Sequence, residues 1–152
     1  MSVKSCQCES CKSACKHKPG WFKPKEIAPA AKLLNMSVNE FFKTKLMVDW
    51  WETNDGQVFT LAPAIKNHNA GSEFPSDPRG ECVFFNGGLC DIHSAKPFEC
   101  AALDCSNTDN HNKNHEDAYK SWVNHQDMIS SLLGRKPTAS EFGSMAEMLS
   151  ML

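Results

Sequence analysis

The residues best suited to chemistry in this chain are eight cysteines among 152 positions. Four of them, Cys6, Cys8, Cys11 and Cys15, follow the spacing C-x-C-x2-C-x3-C. Such spacing lets one flexible loop turn several sulfurs toward a common centre, at about 2.3 Å from each if the metal is zinc. The other four, Cys82, Cys90, Cys100 and Cys105, are spread as C-x7-C-x9-C-x4-C and lack the second C-x2-C knuckle of a zinc ribbon. The first set is not the bacterial ferredoxin run C-x2-C-x2-C-x3-C-P either. Cys8, Cys11 and Cys15 carry a radical-SAM spacing in reversed order, in a chain too short for that fold. Spacing says metal more strongly than it says which metal.

Compartment decides whether thiols pair with one another or bind metal. No apolar run approaches the roughly 20 residues that span a bilayer, and the opening MSVKSCQCESCK has no hydrophobic segment of the kind signal peptides carry. A cytoplasmic location and no membrane partner are the expectation, and in a reducing cytosol clustered cysteines bind metal rather than each other. Charge is divided unevenly along the chain. Residues 1–45 hold nine lysines against three acids, whereas residues 46–152 hold seven basic residues against fifteen acids. Lysines around four thiolates compensate their charge, and no basic recognition helix follows, so nucleic acid is not the expected partner. No nucleophile elbow, P-loop or dinucleotide-binding glycine pattern occurs, which argues against a hydrolase or kinase and identifies no small-molecule substrate. Of the six histidines, His93, three residues past Cys90, is the one the sequence favours for a metal role. His111, His115 and His125 share a helical face only if a helix begins by residue 111. The Asn-rich run there favours a loop, and His125 reads as a core or interfacial histidine.

Short elements must position these cysteines. A helix is expected from Pro24 to Leu33–Leu34, stopped near Asn35, followed by a second helix behind a Ser37–Glu40 capping box and carrying Phe41, Phe42, Leu46 and Met47. The pair outlines a helix-turn-helix, for which packing on the domain's own core is the commoner use. Val48–Thr53 and Gln57–Leu61 flank Asn54-Asp55-Gly56 as a hairpin, with Trp50 and Trp51 on opposite faces. Residues 62–80 read as loop. Glu81–Phe85 and Leu89–His93 flank Asn86-Gly87-Gly88 as a second hairpin, placing Cys82 and Cys90 on paired strands. Lys96-Pro97-Phe98 then opens a helical turn with Cys100 and Cys105. Past a polar connector at 106–114, the apolar positions Ala118, Trp122, Val123, Ile129 and Leu133 mark a helix ending at Gly134. Thr138 and Glu141 cap an amphipathic tail helix through Leu152. The expected fold class is α+β: a small domain of short helices and β-hairpins with cysteine-rich loops around a metal site. A metal-binding domain spans 1–136, and a C-terminal helix at 137–152 packs on it.

Two separated motifs in this order, Cys8-x2-Cys11-x3-Cys15 and the later Cys82-Val-Phe-Phe-Asn-Gly-Gly-Leu-Cys90-Asp-Ile-His93-Ser-Ala-Lys-Pro97-Phe-Glu-Cys100, resemble the YkgJ-type cysteine-cluster family, described as a zinc- or iron-chelating domain. The stretches Pro19–Ile27 and Ala30–Phe42 between them are also similar, so the resemblance covers roughly residues 6–105. It implies metal ligation by Cys8, Cys11, Cys15, Cys82, Cys90 and Cys100. A similar domain occurs in flagellin lysine methylases, which adds an accessory role in a modifying enzyme to the readings. Where many members have paired cysteines ending the first motif, this chain has Cys15-Lys16, and their Arg-Pro-x2-Cys-Arg becomes Lys96-Pro97-x2-Cys100-Ala101. One family ligand position is therefore missing, and Cys6 or Cys105 is left to replace it. Thiolate-only donors suit an iron–sulfur cluster and structural Zn2+ alike. The expectation is a [4Fe–4S] cluster with a redox or sensing role and an unidentified protein partner. The alternative is a zinc-stabilised, non-enzymatic interaction module.

Overall fold

The computed structural model describes residues 20–53, 56–67, 69–73, 80–87, 89–95, 97–101 and 111–137. Pro24, with no N–H to satisfy, opens a 3-10 turn over Pro24–Glu26 that runs into helix α1 (Ile27–Leu33). Asn35, at φ 57°, takes the expected left-handed stop. Helix α2 (Val38–Lys45) starts at Ser37, whose hydroxyl accepts the Glu40 N–H at 3.1 Å. It ends before Leu46, so Leu46 and Met47 are not helical as expected. They open strand β1 (Leu46–Thr53), where period-two alternation sends them to different apolar clusters.

β1 pairs antiparallel with β2 (Gly56–Pro63), from Leu46 opposite Pro63 to Thr53 opposite Gly56. Gly56 sits at φ 114°, where L side chains rarely go, and Asn54 and Asp55 lie outside the described residues. An isolated two-stranded ribbon is marginal in water, and this one is packed on both faces at its Leu46–Asp49 and Thr60–Pro63 end. One apolar cluster gathers Phe22, Phe41, Phe42, Val48, Leu61 and Trp122 among others. A second gathers Trp21, Met47, Ala62, Ile65 and Ala118, with Trp50 packed against it, while Trp51 is 41% exposed.

Both edges of the ribbon are covered as well. Along β1, the Gly71 N–H donates to Leu46 O at 2.7 Å and the Val48 N–H to Ser72 O at 2.9 Å. Along β2, the Phe22 N–H donates to Leu61 O at 2.9 Å, and the side-chain amide of Gln126 pairs with both the N–H and the C=O of Phe59 at 3.0 Å. These contacts occupy the backbone groups that would otherwise template further strand pairing. They also correct the loop expected at 62–80. Residues 62–63 finish β2, Ile65 bridges antiparallel to Cys82, and Glu73 bridges parallel to Val48.

The second hairpin is shorter than expected. Strands β3 (Phe85–Asn86) and β4 (Leu89–Cys90) have two residues each, because Cys82–Phe85 closes into a turn in which the Phe85 N–H donates to Cys82 O at 3.0 Å. A 3-10 turn over His93–Ala95 and helix α3 (Phe98–Ala101) follow. Helix α4 (His111–Trp122) already includes part of the polar connector, a 3-10 turn at Val123–His125 interrupts the helical run, and α5 (Gln126–Leu133) ends at Gly134 with φ 77°. Ala118, Trp122 and Ile129 are buried as expected, but Val123 is 50% exposed because the tighter turn starts there. The Trp122 Nε1–H donates to Phe22 O at 2.6 Å and docks this helical run on the entering chain. The expected tail helix lies outside the described residues. Among those residues, mixed helix and antiparallel hairpins make the fold α+β, and no helix is long and apolar enough to cross a membrane.

Candidate metal centre

Of the eight cysteines, Cys6, Cys8, Cys11, Cys15 and Cys105 lie outside the described residues. Cys82 lies in the turn that leads into the small hairpin, and Cys90 ends its second strand. Cys82 is 6% exposed and packs as a small apolar side chain in the cluster holding Phe84, Phe85 and Ile92. Cys90, half-buried, packs against the edge of the same cluster and stands opposite Phe85 in the β3–β4 register. Cys82 precedes β3, so the two cysteines do not lie on paired strands as the sequence pattern suggests. Phe85 links them: its N–H bonds to Cys82 and its strand position faces Cys90. Cys82 instead pairs its backbone with Ile65, because the chain that follows β2, at Ala64–Lys66, bonds to residues 81–83.

A cation is fastened over the Cys82 turn. Lys66 Nζ meets Glu81 Oε1 at 2.5 Å and Phe85 O at 2.6 Å, so its charge sits between residues on either side of Cys82. Lys66 was not singled out from the sequence, which places the compensating lysines in the head instead. His93 begins the 3-10 turn after β4, and Cys100 lies on α3. His125 is exposed, with Nδ1 3.1 Å from Ser121 O, which corrects the reading of it as a core histidine. The interrupting 3-10 turn rotates it off the apolar stripe.

Contacts between distant segments give the region its geometry. The Trp21 N–H donates to Glu99 Oε1 at 2.7 Å, and the Glu99 N–H returns to Trp21 O at 3.3 Å. Glu26 Oε1 accepts two backbone N–H groups, Lys23 at 2.6 Å and Phe98 at 3.0 Å. Lys23 Nζ also stands 3.8 Å above the Phe98 ring, a cation–π contact. Below them, the Trp21 indole N–H donates to Oδ2 of buried Asp49 at 2.7 Å, and Asp49 Oδ1 accepts the Trp50 N–H at 2.8 Å. The chain that follows Cys15 is thus fastened to the turn that carries Cys100.

Sequence reasoning missed Glu26, Asp49 and Glu99. For Asp49 a signal existed, since a lone acid inside the strand Leu-Met-Val-Asp-Trp-Trp must either break the apolar face or find a buried donor. For Glu99 the partner is 78 residues away, and no local pattern announces it.

Among the described residues, no group of three Cys, His, Asp or Glu side chains comes together to hold a metal ion. The described thiols, Cys82 and Cys90, are soft donors beside apolar walls, a chemistry that fits an iron–sulfur or zinc centre once further thiolates join them. No family model, curated protein or solved structure matches the chain.

Proposed function

We propose that this chain is a cytoplasmic thiolate metal protein whose cysteines from residues 6–15 and 82–100 hold a [4Fe–4S] cluster with an electron-transfer or redox-sensing role. The observation that carries the reading is the joining of Trp21–Glu26 to Phe98–Glu99 through two carboxylates and a backbone pair. It joins Trp21–Glu26, which follows the first cysteine set in sequence, to Phe98–Glu99, which immediately precedes Cys100. By chain length alone, Cys15 stays within about 20 Å of Trp21. Chain resemblance to the YkgJ-type cysteine-cluster family supports the same ligand set. When bound, such a cluster supplies a one-electron couple whose potential follows burial and hydrogen bonds to sulfur. The chain's own part is to bring thiolates together, wall Cys82 with apolar side chains, and present Cys90 at the cluster's edge.

Anaerobic purification with a visible absorption spectrum and elemental analysis tests the proposal. A brown protein that bleaches with dithionite or in air is expected. Cys11→Ser and Cys90→Ser should each remove metal and lower thermal stability together, because metal-binding free energy is folding free energy. Cys6→Ser and Cys105→Ser should lose less. A colourless protein holding stoichiometric zinc after expression with ample iron, and indifferent to dithionite, would replace the redox reading with a zinc-stabilised interaction module. Full metal retention in either Cys11→Ser or Cys90→Ser would end the joint site.

A further inference from the structure

The sequence holds one Asn-Gly pair, Asn86-Gly87, and both residues are exposed at the tip of the β3–β4 hairpin. An asparagine before glycine can react with its own backbone. The Gly87 nitrogen gives up its proton to solvent and attacks Cγ of Asn86, closing a succinimide ring; the Cγ–Nδ2 bond breaks, and ammonia leaves with one proton returned from solvent. Water then opens the ring at either carbonyl, to aspartate or isoaspartate. Glycine suits this attack because no side chain crowds its nitrogen, and at Gly87, with φ 61°, an added Cβ would meet nothing within 4 Å. Against this chemistry stands a clasp. Asn86 Nδ2 donates to Asp91 Oδ2 at 2.5 Å and, more weakly, to Val83 O at 3.4 Å. A carboxylate and a carbonyl both accept, so it is the amide nitrogen that faces them. Asp91 is itself tied into the hairpin, its N–H donating to Phe84 O at 2.7 Å. Ring closure also requires Asn86 to rotate out of the extended backbone that its pairing with Leu89 holds. With two residues in each strand, the hairpin can open locally at the cost of few bonds.

We infer that Asn86 is a self-modifying site: its deamidation is gated by the Asp91 clasp and, once complete, is a one-way release of the β3–β4 hairpin. The product sets a carboxylate where the amide donated, so the contact with Asp91 loses its donor and becomes a pair of like charges. In the isoaspartate product the main chain also runs through the side-chain carbon, and the extra backbone atom breaks the register of residue 86 with Leu89. Phe85, 8% exposed and opposite Cys90, is the next residue to lose its cover. Water is the only co-reactant, so elapsed time and the fraction of open hairpin set the extent of the change. The inference stands apart from the proposed thiolate centre, because no cysteine takes part in the reaction.

The test incubates the full chain at mildly alkaline pH and quantifies, by mass spectrometry of its peptides, amide, aspartate and isoaspartate at position 86. Asn39, exposed on α2 and followed by Glu40, is the internal reference. In denaturant Asn86 should react about tenfold faster than Asn39 or more, and folding should slow it by about tenfold or more, because only the opened hairpin reacts. Asp91→Ala should raise the folded-state rate by about fivefold to tenfold, the range for one lost charge-assisted bond, and Asp91→Asn, which keeps an acceptor, should fall between. Gln126→Ala, which removes the amide pair on Phe59 away from this hairpin, should lower the melting temperature and leave the rate unchanged. For the release, hydrogen exchange at the Asp91 N–H should quicken by about tenfold in Asn86→Asp and return toward wild type in Asn86→Asp/Asp91→Asn, which again sets one amide donor against one carboxylate. An Asn86 no faster than Asn39 in denaturant, equal folded and denatured rates, no rise in Asp91→Ala, an equal rise in Gln126→Ala, or unchanged exchange in Asn86→Asp would each overturn the inference.

Discussion

Gly71 and Gly134 offer a controlled comparison, because both have φ 77° but differ in what surrounds them. At Gly134 an added Cβ meets nothing within 4 Å, whereas at Gly71 it would lie 2.9 Å from Lys43 Cα and 3.2 Å from Lys43 O. For an L residue the left-handed conformation costs about 1–2 kcal/mol, of which alanine recovers about 0.4–1 kcal/mol by restricting the unfolded chain. Gly134→Ala should therefore destabilise by about 1 kcal/mol. At Gly71 the same term acts, and the clash is with the backbone of α2, which cannot rotate away, so an overpacking term of about 1–3 kcal/mol adds to it. Moving residue 71 outward would also stretch its 2.7 Å bond to Leu46 O and lift the segment that covers β1. The expected gap between the two variants is about 2 kcal/mol, or about 4–8 °C in melting temperature for a chain of this size. Thermal unfolding by circular dichroism reads it, with metal content checked to be equal in both proteins. Equal losses in the two variants would refute the reasoning, since they would mean that Gly71 serves only its backbone angle.

Trp122→Phe removes the indole bond to Phe22 O while keeping an aromatic ring in the core, and should destabilise by about 1–3 kcal/mol. A lower urea midpoint at an unchanged slope would confirm it, and no change would show the contact to be dispensable. Glu116 has its carboxyl held below the ordinary value of 4.5 by the hydrogen bond and then the charge of Lys120, four residues on, and Lys120 is raised above 10.5 by the same partner. The carboxylate's contribution is therefore present above 4.5 and lost as pH falls through its lower folded value, and the lysine's is lost as pH rises through its higher one. Titration followed by NMR should show Glu116 moving back toward 4.5 in Lys120→Met or in high salt, because both groups are exposed.

What the sequence by itself determined is whatever closes within a few residues. Pro24, the stop at Asn35, the Ser37 cap and the stop at Gly134 were legible because each rests on backbone conformation and bonds set by neighbours in the chain. The candidate ligands were legible for a similar reason, since thiol spacing is itself a local property. Tertiary structure decided what those elements meet. The alternation of Leu46 and Met47 became a strand only because two separate apolar clusters await its two faces, against a capping pattern that carried them into the preceding helix. Cys82 went to Ile65 rather than to the strand of Cys90 because the chain leaving β2 bonds to residues 81–83, a fact set by that partner and not by residues 81–93. The carboxylates of Glu26, Asp49 and Glu99 found donors 72, 28 and 78 residues away. One acid among many carries no mark of such a partner, because burial chooses the pair: a desolvated N–H must be met by whichever acceptor the folded chain brings to it.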